Sequence, residues 1–219
     1  MAAGRGTRLR PLTERWPKPV LPIDGRPVVV TLVHELAAAG VERIVVVTGH
    51  LAEQVEALLA PLPYELRFAR QPEPDGSLDA VRRAEATPPF LTVAADTRFA
   101  PGDVARFVAA THATAGALAV RRQPGRPDYT RTRVESGLVV RVNDPDAPDG
   151  WTAAPLTFLG ELVAAHLDDE VGGPPFELAG VLQNAIDDGV RVSAIEIGRT
   201  RDLTTPADLV RENFPYLLR

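Results

Sequence analysis

Along the first half of the chain, short β-branched runs alternate with stretches of helical spacing. The turn sequence Asp24-Gly25-Arg26-Pro27 leads into a stretch from about Val28 to Ala39 with apolar residues at helical spacing, which stops at Gly40. Arg43–Thr48 (RIVVVT) is a continuous β-branched run, the pattern of a strand buried on both faces. Ala52–Leu59 reads as a helix, Tyr64–Ala69 as an alternating strand and Ser77–Ala86 as a helix. Phe90–Ala95 (FLTVAA) reads as a second buried strand that ends on Asp96; a helix over Asp103–Thr111 and a strand over Ala117–Arg121 follow. Strands alternating with helices predict a mostly parallel sheet covered by helices on both faces.

The rhythm changes from about Tyr129. Thr130–Val134 and Leu138–Val142 flank Glu135-Ser136-Gly137 and predict a hairpin. Asp144 to Gly150 is a Pro/Asp loop, Ala154–Leu159 a strand and Glu161–Leu167 a helix. Glu177–Asp188 predicts a helix stopped by Gly189, and Val190–Ile197 a strand. The last helix, Pro206–Glu212, has Thr205 as its cap and Pro206 at its first position. There is no internal repeat or long linker. The expectation is one α/β domain, residues 1–123 forming its main part and 124–219 a smaller second lobe.

Composition narrows the function. With 45% hydrophobic and 24% charged residues the chain is ordinary for a soluble globular protein. A net charge of -5 argues against a general nucleic-acid binder. The absence of cysteine excludes disulfides, thiolate metal sites and cysteine nucleophiles. No apolar run is long enough to span a membrane and no signal peptide precedes the first motif, so a cytoplasmic protein is expected.

The chemistry concentrates at Met1–Pro22. Gly4 and Gly6 flank Arg5, Thr7 adds a hydroxyl, Arg8 and Arg10 add forked positive charge, and Lys18 stands between Pro17 and Pro19, which are expected to hold it on extended chain. Glycine amides with Arg and Lys make an anion site, and polyphosphate is the fitting anion. In open α/β sheets ligands bind beyond the carboxyl ends of strands. Asp96 ends one strand and Asp202 follows another. Either alone would read as a helix cap; together, beside a polyphosphate cradle, they suit Mg²⁺, which uses one or two carboxylates plus phosphate oxygens. Gln71-Pro72-Glu73-Pro74-Asp75-Gly76 falls between a strand and a helix, and Gln71, both donor and acceptor, could read a base edge. No P-loop, dinucleotide fingerprint, zincin or nucleophile-elbow pattern is present. The spacing of Asp144, Asp146, Asp149 and Gly150 is wrong for a calcium loop, and His50, His112 and His166 read as structural or surface residues.

These stretches carry a resemblance. AAGRGTRLRPLTERWPKPVLPIDGRP resembles the signature of the sugar-phosphate nucleotidylyltransferases. QPEPDGSLDA is similar to the base-reading segment of glucose-1-phosphate thymidylyltransferases, and VAAD and RDLTTPADL resemble the two segments carrying metal aspartates. The resemblance implies a Rossmann-like, GT-A-type three-layer sandwich with a mostly parallel mixed sheet. It implies an enzyme joining an NTP, a pyrimidine nucleotide by preference, to a sugar 1-phosphate with release of pyrophosphate. It gives Ala3, Gly4, Gly6 and Thr7 to the nucleotide, Arg8 to the β- and γ-phosphates, Lys18 to the α-phosphate, Gln71 and Gly76 to the base, and Asp96 and Asp202 to Mg²⁺.

Two departures stand out. Where the family has Glu-Lys-Pro, with the Lys on the sugar phosphate, this chain reads Asn143-Asp144-Pro145. A carboxylate there is expected to line the acceptor site and repel a sugar phosphate, so that Asp144→Lys would improve use of such an acceptor. Glu177 matches a sugar-contacting Glu, while Ala179 stands near a usual Asp. The acceptor stays open between a sugar 1-phosphate and a phosphorylated alcohol such as phosphocholine, used by a cytidylyltransferase; a silent nucleotide-binding regulatory protein is a third alternative. The second departure is at the start: only Met1-Ala2-Ala3 precede Gly4, where the family has an apolar strand, and a native start several residues upstream is expected.

Overall fold

The computed structural model describes residues 1–122, 131–148 and 150–218. The boundary expected at about residue 124, the first residue of the expected hairpin (Thr130), and Asp149 lie outside the described residues. Contacts divide the chain into two compact units, one of Met1–Pro74, Ala94–Phe99 and Thr200–Arg219, the other of Asp75–Val93 and Ala100–Arg199.

In the first unit, the strand Arg43–Thr48 pairs in parallel with Glu65–Arg70, from Arg43 opposite Glu65 to Thr48 opposite Arg70, and the helix Ala52–Leu59 makes the crossover. Burial rises along Arg43–Thr48: Arg43 is exposed and Val46, Val47 and Thr48 are buried, so the β-branched run is interior only at its carboxyl end. Ala2 donates its N–H to the Val47 carbonyl at 2.7 Å, and the Met1 carbonyl accepts from Ala95 N–H at 2.9 Å. These residues thus hold a ladder position next to Thr48, and Ala2 packs with Val29, Val33, Val46, Val55, Leu59 and Ala95 in one core cluster. Two short strands, Thr97–Arg98 and Arg201–Asp202, pair antiparallel, with Asp202 opposite Thr97. The helix Pro206–Asn213 starts with the expected Thr205 cap, completed by Asp208 as a capping box.

The second unit is built on a six-stranded mixed sheet in the order Phe90–Val93, Thr152–Leu159, Gly116–Arg121, Val192–Glu196, Leu138–Arg141, Arg133–Glu135. Every residue of Gly116–Arg121 is buried, which makes it the sheet's central strand. It pairs in parallel with Val192–Glu196, while the other pairings in this sheet are antiparallel. The sheet is mixed, as expected, with more antiparallel pairing than the strand–helix alternation implied. A parallel neighbour needs a crossover element; beyond Arg121 the next described helix is Glu161–Ala164, and the strands described in between pair antiparallel with their neighbours. The register along Thr152–Leu159 shifts between Ala153 and Thr157, around Pro155, which has no N–H for the ladder. The expected hairpin forms with a two-residue turn at Ser136-Gly137, both at positive φ. The helix expected over Glu161–Leu167 is α-helical to Ala164 and then tightens into a 3₁₀ turn, Ala165–Asp168.

Candidate functional site

The glycine-rich start folds as a loop closed on itself. Gly6 is left-handed, with φ 60°, and caps the 3₁₀ turn Thr7–Leu9. A Cβ on Gly6 would come within 2.9 Å of the Thr13 methyl group, and the Thr13 hydroxyl donates to the Gly6 carbonyl at 2.9 Å. Leu9, which is buried, anchors the turn in a cluster with Leu21, Ile23, Val28 and Leu203. His50 donates its own N–H to the Ala3 carbonyl at 3.3 Å and sets Nε2 2.6 Å from the Thr13 carbonyl, so it braces both ends of the loop. Thr13 and His50 carry no motif of their own; their part in the loop comes from tertiary contacts.

Lys18 does not sit on extended chain. Pro17 is extended, but Lys18–Val20 is a 3₁₀ turn, because the fixed φ of Pro19 suits the second position of a turn as well as an extended strand. The turn sends Lys18 Nζ to within 2.7 Å of Asp96 Oδ2. Gly4, Gly6, Thr7, Arg8, Lys18 and Asp96 together line a cavity of about 260 Å³, with Leu203 and Thr204 beside them. Asp202 is one residue removed: its carboxylate accepts from the Thr204 hydroxyl at 3.0 Å, and its strand lies against Thr97 next to Asp96. Arg98 is tied to Glu35, and Arg201 to Asp24 and Glu212, so both strands of this short ribbon are pinned by ion pairs. Among the described residues no cluster of three or more His, Asp or Glu forms a closed metal cage. Asp96 in the cavity wall and Asp202 beside it are the carboxylates that would hold Mg²⁺, an ion that takes one or two carboxylates and completes its shell with phosphate oxygens and water. Gln71 is buried, and its N–H donates to the Thr48 carbonyl at 2.7 Å.

The remaining expected residues belong to the second unit. Gly76, with φ 106°, precedes the helix Ser77–Ala84, and a Cβ there would lie 2.1 Å from the Phe176 carbonyl oxygen. Phe176 N–H donates to the Asp75 carbonyl at 2.7 Å and Leu78 N–H to the Phe176 carbonyl at 2.9 Å. The Ser77 hydroxyl accepts from Leu178 N–H at 2.8 Å and donates to Glu177 Oε2 at 2.5 Å. Gly76 and Glu177, assigned by sequence to different ligands, are thus on two segments zipped together.

Asp144 meets a partner that the sequence pattern does not show. Its side chain is 5% exposed, and its carboxylate accepts from Arg133 Nε at 2.7 Å and from the Asp146 N–H at 3.0 Å. Burial pushes its carboxyl up, and the hydrogen bonds from Arg133 and Asp146 with the charges of Arg133 and Arg141 outweigh that, holding it below the usual carboxylate range. The carboxylate expected to repel a phosphate is answered by a guanidinium within the same hairpin. Asp144 itself lines a cavity of about 410 Å³ with Arg133, Val140, Arg141, Asn143, Pro145 and Asp146.

A family model described as "MobA-like NTP transferase domain" matches residues 1–172. The chain is 34% identical to the bifunctional protein GlmU of Acidovorax ebreus over 95% of its own length and 48% of that protein, so it spans about half the length of that curated relative. Over 54 residues, 25% of this chain and 22% of the relative, it is 54% identical to the 2-aminoethylphosphonate cytidylyltransferase of Lancefieldella rimae. A solved structure of a putative glucose-1-phosphate thymidylyltransferase from Bacillus anthracis superposes with a TM-score of 0.84 at 17% identity, covering 97% of this chain and 91% of that one, which shows a shared fold. The fold is the Rossmann-like, GT-A-type α/β fold expected from the sequence. No helix among the described residues is long and apolar enough to cross a membrane.

Proposed function

The chain belongs to the MobA-like NTP transferase family, and on that premise we propose that it is a Mg²⁺-dependent nucleotidylyltransferase that moves NMP from an NTP to a sugar 1-phosphate and releases pyrophosphate. The observation that carries this reading is the single cavity lined by Gly4, Gly6, Thr7, Arg8, Lys18 and Asp96. In this reading the loop of Ala3, Gly4, Gly6 and Thr7 cradles the nucleotide, and Arg8 takes the β- and γ-phosphates and the charge of the departing pyrophosphate. Lys18 leaves Asp96 for the α-phosphate. Gln71 and Gly76 contact a pyrimidine base, and Asp96 and Asp202 hold the metal. When bound, Mg²⁺ neutralises phosphate charge as a Lewis acid. An acceptor phosphate oxygen bonds to the α-phosphorus as the bond to pyrophosphate breaks, with no covalent enzyme intermediate, so the side chains act by positioning and charge stabilisation.

A second reading, a cytidylyltransferase for a small phosphorylated or phosphonylated amine or choline-like alcohol, is favoured by one observation. The exposed Asp146 shares the 133–146 cavity with Arg133 and Arg141, so the cavity offers both signs of charge. The name of the Lancefieldella relative is in keeping with it.

Pyrophosphate release measured with each of four NTPs against a panel of phosphorylated sugars, alcohols and aminophosphonates tests both readings. Turnover with UTP or dTTP and a sugar 1-phosphate supports the first, and turnover with CTP and an amine-bearing acceptor the second. GTP or ATP as best donor overturns the pyrimidine assignment, and no turnover with any pair overturns the transferase reading.

A further inference from the structure

We propose that the cavity beside the Arg133–Glu135 and Leu138–Arg141 hairpin binds the acceptor by its phosphate or phosphonate oxygens, through the guanidinium groups of Arg133 and Arg141. The inference rests on the transferase reading above and names the residues that would recognise its second substrate.

Arg133 and Arg141 are direct partners across the antiparallel pair. Their side chains therefore leave the hairpin on the same face, and like charges directly opposite destabilise a sheet unless something answers them. Only part of that charge is answered here. Arg133 spends Nε on the buried Asp144, while its two Nη groups make no hydrogen bond among the described residues. The exposed Arg141 side chain makes no hydrogen bond or ion pair among them. Both line the same cavity of about 410 Å³.

Asp144 has little freedom, being fixed by the Asp146 N–H and by burial. It holds Arg133 in one orientation, so little side-chain entropy is left to lose when a ligand arrives. A planar guanidinium with two free nitrogens matches two oxygens of a tetrahedral oxyanion, and a second guanidinium beside it supplies the remaining charge. A lysine would give a point charge with no fork, so the geometry selects phosphate or phosphonate over a neutral sugar hydroxyl.

Side-chain ¹⁵N NMR of the full chain with labelled arginine tests the site without turnover. Inorganic phosphate and methylphosphonate should each shift the Arg133 and Arg141 guanidinium signals to saturation, with chloride at equal ionic strength as control. The response at Arg141 should weaken in Arg133→Ala. In steady-state assays with the acceptor found active, Arg133→Ala and Arg141→Ala should each raise the acceptor KM about tenfold to a hundredfold and leave the NTP KM unchanged. Arg133→Lys should recover only part of the loss. Arg141 is exposed, so its variant carries the test even where Arg133→Ala fails to fold. If phosphate moves neither signal more than chloride does, or if acceptor and NTP KM rise together, the inference is wrong. Saturable shifts with no pyrophosphate release from any substrate pair would keep the anion site and reject the transferase reading.

Discussion

Lys18 Nζ lies 2.7 Å from Asp96 Oδ2, and the pair closes one side of a cavity whose other walls are the glycine loop and Arg8. Their side chains are 15% and 30% exposed, so the pair is partly shielded but open to the cavity. Under the proposed function the two separate when nucleotide enters, the ammonium to phosphate and the carboxylate to the metal. Lys18→Ala and Asp96→Ala should therefore each lower kcat by roughly 10²–10³ while thermal melting barely moves. Near-normal turnover in either variant, measured by pyrophosphate release, would remove the residue from the site.

The zip between Asp75–Ser77 and Phe176–Leu178 predicts an intolerant glycine. Alanine at Gly76 would hold a φ of 106° and drive its Cβ to 2.1 Å from the Phe176 carbonyl oxygen. Backbone in that region costs about 1–3 kcal/mol, and for a chain of this size each kcal/mol lowers the melting temperature by about 2–4 °C. Circular dichroism of Gly76→Ala should show that loss. An unchanged melting temperature would mean that the two segments part without cost.

Arg201 fixes the strand that carries Asp202 by donating to both carboxylate oxygens of Asp24, at 2.8 and 2.7 Å, and to Glu212. The hydrogen bonds from Arg201, against a smaller opposing effect of burial, hold the Asp24 carboxyl below its usual range. A carboxyl with a lowered folded pKa contributes stability above its unfolded value, about 3.9, and loses it as pH falls through the lower folded value. Asp24 sits at φ 55°, which Asn also tolerates, so Asp24→Asn isolates the charge. The melting temperature of the wild type should exceed that of Asp24→Asn by a constant margin from neutral pH down to about 4, and the margin should narrow below that. A margin that widens in acid would contradict the ion pair.

Much of this was legible in the sequence because it depends on local signals. Arg43–Thr48, Ala52–Leu59 and the Thr205 cap follow from periodicity and capping chemistry, and the structure has them where the pattern put them. Six residues chosen from the first line of the chain and from one strand end line one cavity. What could not be read was which partner each polar group would meet. Asp144 looked like an open carboxylate because its Arg133 partner is eleven positions away on the facing strand, and which residues oppose each other is set by register. Thr13 and His50 brace the glycine loop through contacts that no spacing rule encodes. Between Arg121 and Glu161 the described strands pair antiparallel and no helix is described, which alternation counted over the first half of the chain does not reveal.

The two glycines of the first loop should behave differently when changed, and the difference separates shape from ligand contact. Gly6 has φ 60°, and a Cβ there would press on the Thr13 methyl at 2.9 Å and meet Lys18 Cβ at 3.4 Å. Gly6→Ala should thus strain the loop by about 1–3 kcal/mol, displace Lys18, and lower both melting temperature and nucleotide affinity. A Cβ on Gly4 would meet no atom within 4 Å, so the folded chain has room for it. Its new methyl group would instead stand where the proposed nucleotide approaches the backbone. Gly4→Ala should keep the wild-type melting temperature and weaken nucleotide binding, read by calorimetric titration with UTP, dTTP or CTP. If Gly4→Ala binds nucleotide as the wild type does, the ligand does not approach the loop at Gly4. If it melts early, the loop is tighter than the space around Gly4 implies.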